Sequence, residues 1–105
     1  MEHLEHLEKI MAKYDAALDE VAGAQNYVKA AAHAKHSEVK DLYLSMAKQE
    51  LSHAGNLCRI ACIILDNSDA DSVQGTRAVW DDMKVRVDSL IGETRDKIER
   101  VERGR

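Results

Sequence analysis

Residues 38–65 read EVKDLYLSMAKQELSHAGNLCRIACIIL, and this stretch decides the fold. Larger apolar side chains recur in it every three or four residues, which is the spacing of one face of an α-helix. That face carries Val39, Leu42, Met46, Glu50, His53, Leu57, Ile60 and Ile64. Two titratable residues therefore interrupt an otherwise apolar line. Because an unpaired buried carboxylate costs several kcal/mol, we expect Glu50 and His53 to have a partner.

The rest of the chain also has a helical character. Its 105 residues include no proline, no phenylalanine and only five glycines, and alanine, leucine and charged helix formers are abundant. We predict a single domain over residues 1–105 with three helices, at about 2–34, 38–65 and 76–103. Ser37 is the expected N-cap of the second helix, a polar loop is expected over 66–75, and Trp80 should anchor the third helix. The predicted fold class is all-α: a long antiparallel helical hairpin plus a third helix.

Composition and charge exclude several classes of function. The net charge is −4, so there is no basic footprint for nucleic acid. No apolar run approaches the roughly 18 residues of a membrane span, and the N-terminal residues lack the pattern of a signal peptide. We therefore expect a cytoplasmic protein. Cys58 and Cys62, one helical turn apart, share a second apolar line with Leu51, Ala54 and Leu65, which predicts two core residues rather than a disulfide.

Glu20 and Glu50 are expected at the same height in the hairpin. Each lies about 15 residues from the turn, or roughly 22 Å at 1.5 Å per residue. Tyr27 and Tyr43, each about eight residues from the turn, should face each other near this level. Small residues surround the two carboxylates and leave room beside them: Ala16, Ala17, Gly23, Ala24, Ala47 and Ala54.

One chain thus offers Glu20, Glu50 and His53 as metal ligands. Two carboxylates and one imidazole are half of the di-iron site of a four-helix bundle, which takes a Glu from each of two helices and a Glu-x-x-His from each of the other two. The chain has no second Glu-x-x-His, but two copies related by a two-fold axis supply the missing half. The predicted assembly is a homodimer, or a higher homo-oligomer, in which two hairpins form a four-helix bundle. Such a donor set suits iron, and manganese is possible.

Two segments resemble one half of a ferritin-like or rubrerythrin-like protein: residues 19–27, DEVAGAQNY, and residues 46–54, MAKQELSHA. Those families carry a metal-binding Glu with a Tyr seven residues on, and then Ala-x-x-Glu-x-x-His-Ala in the next helix. The matching positions are Glu20, Tyr27, Ala47, Glu50, His53 and Ala54. The resemblance covers about residues 17–57. It is greatest to the encapsulated ferritins, whose short two-helix chains dimerise around a shared di-iron site.

The resemblance implies a ferroxidase that oxidises Fe(II) with dioxygen or peroxide. Glu20, Glu50 and His53 would then be its catalytic metal ligands, at a di-iron centre shared between two chains. Residues 101–105, VERGR, are unlike the short apolar peptide by which encapsulated ferritins dock into a shell, so an encapsulating shell is not a predicted partner. The alternative interpretation is a non-catalytic helical oligomerisation or adaptor module, in which Glu50 and His53 pair with each other or with polar groups across an interface.

Overall fold

The structure, a computed structural model, describes residues 2–68 and 70–104, with the side chains of 5–68 and 74–104. It contains three helices: α1 (Glu2–His33), α2 (Ser37–Asp66) and α3 (Ala70–Arg103). They form an elongated bundle of 54 × 16 × 16 Å. The all-α class and the order of the three helices are confirmed. None of the helices in the described ranges is long and apolar enough to cross a membrane.

Two boundaries differ from the sequence prediction. The third helix begins at Ala70, six residues before the predicted position 76, so the loop expected over 66–75 is much shorter. Asp and Ser are common in loops, but they are also favoured in the first turn of a helix. A segment rich in Asp and Ser therefore does not distinguish a loop from the start of a helix. The N-cap of α2 is His36, whose backbone is extended (φ −108°, ψ 132°). Ser37 is therefore the first helical residue and not the cap.

The core of the bundle lies along one line of each helix. On α2 this line alternates larger and small side chains, which allows neighbouring helices to approach closely and interdigitate. Its buried members are Leu44, Ala47, Leu51, Ala54, Cys58, Ala61 and Leu65. The facing line of α1 is similar: Ile10, Ala17, Val21, Ala24, Val28 and Ala31 are buried. α1 packs against both other helices, and most extensively against α2.

Trp80 anchors α3 to the bundle, as predicted. Its side chain is only 1% exposed, and its indole Nε1 donates a hydrogen bond to Cys62 Sγ at 3.3 Å. Further along α3, Val87, Ile91 and Ile98 are also buried. The third helix is therefore an integral part of the bundle, since it covers apolar surface that the hairpin alone would expose.

The apolar line of α2 that carries Glu50 and His53 lies mostly outside this core, although Leu57 and Ile64 pack against its edge. Four of its residues, Val39, Leu42, Met46 and Ile60, are 40%, 66%, 38% and 42% exposed. The line with the small residues is buried instead, because α1 approaches it closely. We call Val39, Leu42, Met46 and Ile60, together with the Glu50 and His53 between them, the open face of α2.

Candidate metal centre

The structure brings together the three residues that the sequence singled out. Glu20 comes from α1, whereas Glu50 and His53 come from adjacent turns of α2. One ligand atom from each of the three lies within 4.8 Å of the other two. His53 Nδ1 lies 3.6 Å from Glu20 Oε2 and 3.7 Å from Glu50 Oε1. The prediction that the two carboxylates share one height in the hairpin is therefore confirmed.

These distances suit ligands around a common ion better than hydrogen bonds. A nitrogen–oxygen hydrogen bond is about 2.7–3.2 Å long, so both contacts of His53 are too long. Nitrogen and oxygen ligands lie about 2.0–2.2 Å from a divalent metal such as zinc, and neighbouring ligands are then roughly 3.0–3.6 Å apart. The separation of the imidazole from each carboxylate is thus close to the one that a shared ion would set.

Glu20 has an oxygen atom that lacks a hydrogen-bond partner among the described residues. Its Oε2 is buried and accepts no hydrogen bond from the residues that the structure describes. A buried polar atom without a hydrogen bond is destabilising, and the cost is larger for a charged group. A cation between Glu20, Glu50 and His53 would satisfy this oxygen, so the residues present fit a metal ion.

The protonation of Glu50 depends on the same neighbours. Its pKa is raised above the ordinary value of 4.5, first because the protonated carboxyl can hydrogen-bond to Glu20. Burial and the negative charge of Glu20 raise the pKa further, whereas His53 lowers it. Two adjacent carboxylates thus favour a shared proton when no cation lies between them. A metal ion would have to displace that proton, because it binds the ionised form.

The site opens away from α3. His53 is 57% exposed, and Cys62, which receives the hydrogen bond from Trp80, lies nine residues further along α2. Nine residues at 100° each correspond to half a turn around the helix, so the two side chains leave α2 on opposite sides. The part of α3 that the structure describes contributes no ligand to the cluster. The three ligands instead lie on the side of the molecule where the open face of α2 is exposed.

Two tyrosines lie next to the site in the α1–α2 seam. Tyr27 and Tyr43 stack with their ring centroids 6.2 Å apart and their planes inclined by 26°, so the prediction that they face each other is confirmed. Each is seven residues from a glutamate, Tyr27 from Glu20 and Tyr43 from Glu50, which places the pair about 10 Å towards the hairpin connection. The stacked rings fill the seam on that side of the two carboxylates.

The two cysteines are separate from this site. Cys58 is buried and Cys62 half-buried, and both are free thiols. Burial, and secondarily the charge of Asp88, raises the pKa of Cys58 to about 11. Since the thiolate is the form that binds metals, Cys58 is a packing residue at neutral pH, as the sequence predicted.

Comparisons with protein-family models, with curated proteins and with solved structures each found no match to this chain. The functional interpretation therefore depends on the geometry of Glu20, Glu50 and His53 and on the surface around them.

Proposed function

We propose that this protein is a ferritin-like metal-binding protein that oxidises Fe(II) at a di-iron centre formed between two copies of the chain. One observation carries the proposal. Glu20, Glu50 and His53 converge within 4.8 Å, and the buried Oε2 of Glu20 has no hydrogen-bond partner among the described residues. Two carboxylates and one imidazole per chain are half of the ligand set of a ferritin-like di-iron bundle.

The surface around the site supports pairing with a second copy. Glu50 and His53 lie on the open face of α2, between Leu42 and Met46 on one side and Ile60 on the other, all three of which are exposed. Several exposed apolar side chains in line on one helix face are typical of an interface. A two-fold axis through the site would bury this surface in both chains and bring four carboxylates and two imidazoles together. The hairpins of the two chains would form the four-helix bundle.

The charges of the paired site match two Fe(II) ions. Four carboxylates supply four negative charges, equal to the charge of two divalent cations, so the metals remove the repulsion between Glu20 and Glu50. His53 would provide the nitrogen ligand of each iron, Glu50 would bridge or chelate, and Glu20 would bind terminally or bridge. Iron is the substrate in this proposal: two Fe(II) each give one electron to dioxygen, which takes up two protons and leaves as hydrogen peroxide.

An Fe(II) titration tests the proposal. Purified protein is titrated with Fe(II) without oxygen and then exposed to air, and Fe(III) formation is followed by absorbance. We expect about one iron per chain and oxidation faster than in buffer. Replacing Glu20, Glu50 or His53 with alanine should abolish the rate enhancement, while circular dichroism shows the helices intact because alanine favours helix. His33→Ala is the matched control, because His33 is exposed and its Nδ1 forms a hydrogen bond with the Lys29 carbonyl of the same helix.

The possible results separate three interpretations. Loss of oxidation in all three ligand variants supports the shared site. If Glu20→Ala oxidises iron at the parent rate while Glu50→Ala and His53→Ala do not, the site is a smaller one on α2 alone. If the parent protein binds neither Fe(II) nor Mn(II), the non-catalytic helical oligomerisation module is the better description.

A further inference from the structure

Gly23 lies against the Glu50 carboxylate. It is three residues after Glu20 on α1, on the side of that helix that meets α2. A Cβ atom at Gly23 would lie 2.9 Å from Glu50 Oε2, 3.8 Å from Cδ and 3.9 Å from Cγ. The shortest of these distances is closer than Cβ atoms approach other heavy atoms in real proteins. Any other amino acid at position 23 would therefore force the carboxylate to move.

The backbone does not explain a glycine at this position. Gly23 lies in the middle of α1, and no glycine in the described part of the chain has a positive φ. Glycine within a helix is destabilising relative to alanine, because it loses more conformational freedom on folding. The close approach of the Glu50 carboxylate is the feature of this position that an alanine side chain would change.

We propose that Gly23 is a positioning residue of the metal centre, since its missing side chain leaves the space in which the Glu50 carboxylate reaches across α1 to Glu20. This inference rests on the proposed function and adds to the site a residue that binds no metal itself. The end of a Glu side chain is flexible, so a methyl group at position 23 would turn the carboxylate aside and leave the fold intact. Metal ligands must be held within about 0.5 Å of their productive positions, so even a small displacement weakens binding.

Two other glycines provide matched controls. Gly55 on α2 and Gly92 on α3 also lie within helices, and a Cβ at either position would meet nothing within 4 Å. Alanine at these positions changes helix propensity alone. Alanine at Gly23 changes helix propensity and also the space available to Glu50.

The experiment compares Gly23→Ala, Gly55→Ala and Gly92→Ala in the full chain. Metal affinity is measured by calorimetric titration with Mn(II) and by anaerobic titration with Fe(II), and the melting temperature of the metal-free protein by circular dichroism. We expect Gly23→Ala to weaken metal binding by about 10- to 100-fold, the usual effect of disturbing the residues that orient metal ligands. The two controls should bind with the parent affinity and melt at a higher temperature than the parent.

A second measurement tests the contact without metal. In the parent chain, Gly23→Ala should raise the melting temperature less than Gly55→Ala does, because the Glu50 carboxylate must move. In a Glu50→Ala background, Gly23→Ala and Gly55→Ala should raise the melting temperature equally. Equal increments in both backgrounds, or Gly23→Ala binding metal with the affinity of the Gly55→Ala control, would overturn the positioning role and leave the proposed function standing. Absence of metal binding by the parent chain would overturn both.

Discussion

Leu42→Ala should weaken self-association of this protein, because Leu42 lies on the open face of α2 and is 66% exposed in a single chain. Burying a leucine side chain fully is worth about 1.5–3 kcal/mol. Burying the exposed two-thirds is then worth ~1–2 kcal/mol per chain, or ~2–4 kcal/mol per symmetric dimer. Alanine retains only the Cβ, so the variant should lose about 1.5–3 kcal/mol of the free energy of dimerisation. This corresponds to a dimer Kd that is roughly 10 to 150 times higher. The entropic cost of association is common to parent and variant, so the difference is insensitive to it.

Sedimentation equilibrium over a dilution series measures this change directly. The control is Val85→Ala, since Val85 on α3 is 68% exposed but lies outside the open face of α2. We expect the control to keep the Kd of the parent protein. If Leu42→Ala and Val85→Ala have the same Kd, or if the parent protein has the mass of one chain at every micromolar concentration, a dimer through this face is refuted.

Four further predictions concern the site and the core. Metal affinity should fall as the pH decreases through the raised pKa of Glu50, because protons and metal compete for the ionised carboxylate. Calorimetry in buffers of different ionisation enthalpy should detect protons released on metal binding. Metal binding without proton release would contradict this competition. In the metal-free protein, the Glu50 carboxyl holds its proton more tightly in the folded state than in the unfolded chain. The stability of the fold should therefore decline as the pH rises from 4.5, the ordinary pKa of a Glu, through the raised pKa of Glu50. Urea unfolding should show this decline in the parent and not in Glu50→Gln. Mn(II) at 100 times its Kd should stabilise the parent by about 2.7 kcal/mol and leave Glu20→Ala unchanged. Trp80→Ala should lower the free energy of unfolding by about 3–5 kcal/mol, because Trp80 is buried. Urea unfolding followed by circular dichroism measures this change. A decrease of less than about 1 kcal/mol would show that Trp80 does not anchor α3.

The helices and the pairing of the two glutamates could be predicted from the sequence. A chain without proline and with apolar residues every three or four positions has few alternatives to helix. A connection of three residues between α1 and α2 makes the helices antiparallel, so residues equidistant from it lie side by side. This is why Glu20 meets Glu50, and why Tyr27 meets Tyr43. The start of α3 at Ala70 was missed, since polar residues suit both a loop and the first turn of a helix.

The sequence predicted the line of Leu51, Ala54 and Cys58 as core, but only the tertiary structure decided that the line of Glu50 and His53 stays largely exposed. Both lines have helical spacing, and they lie about a quarter of a turn apart on α2, so periodicity does not distinguish them. Packing distinguishes them, because the line containing Ala47, Ala54 and Ala61 lets α1 approach closely and leaves the line of Glu50 and His53 on the surface. The sequence alone thus determined three helices and the meeting of Glu20 with Glu50 and His53. The packing of α1 against the small residues of α2 left Glu50 and His53 on the open face of α2, where the proposed second chain would reach them.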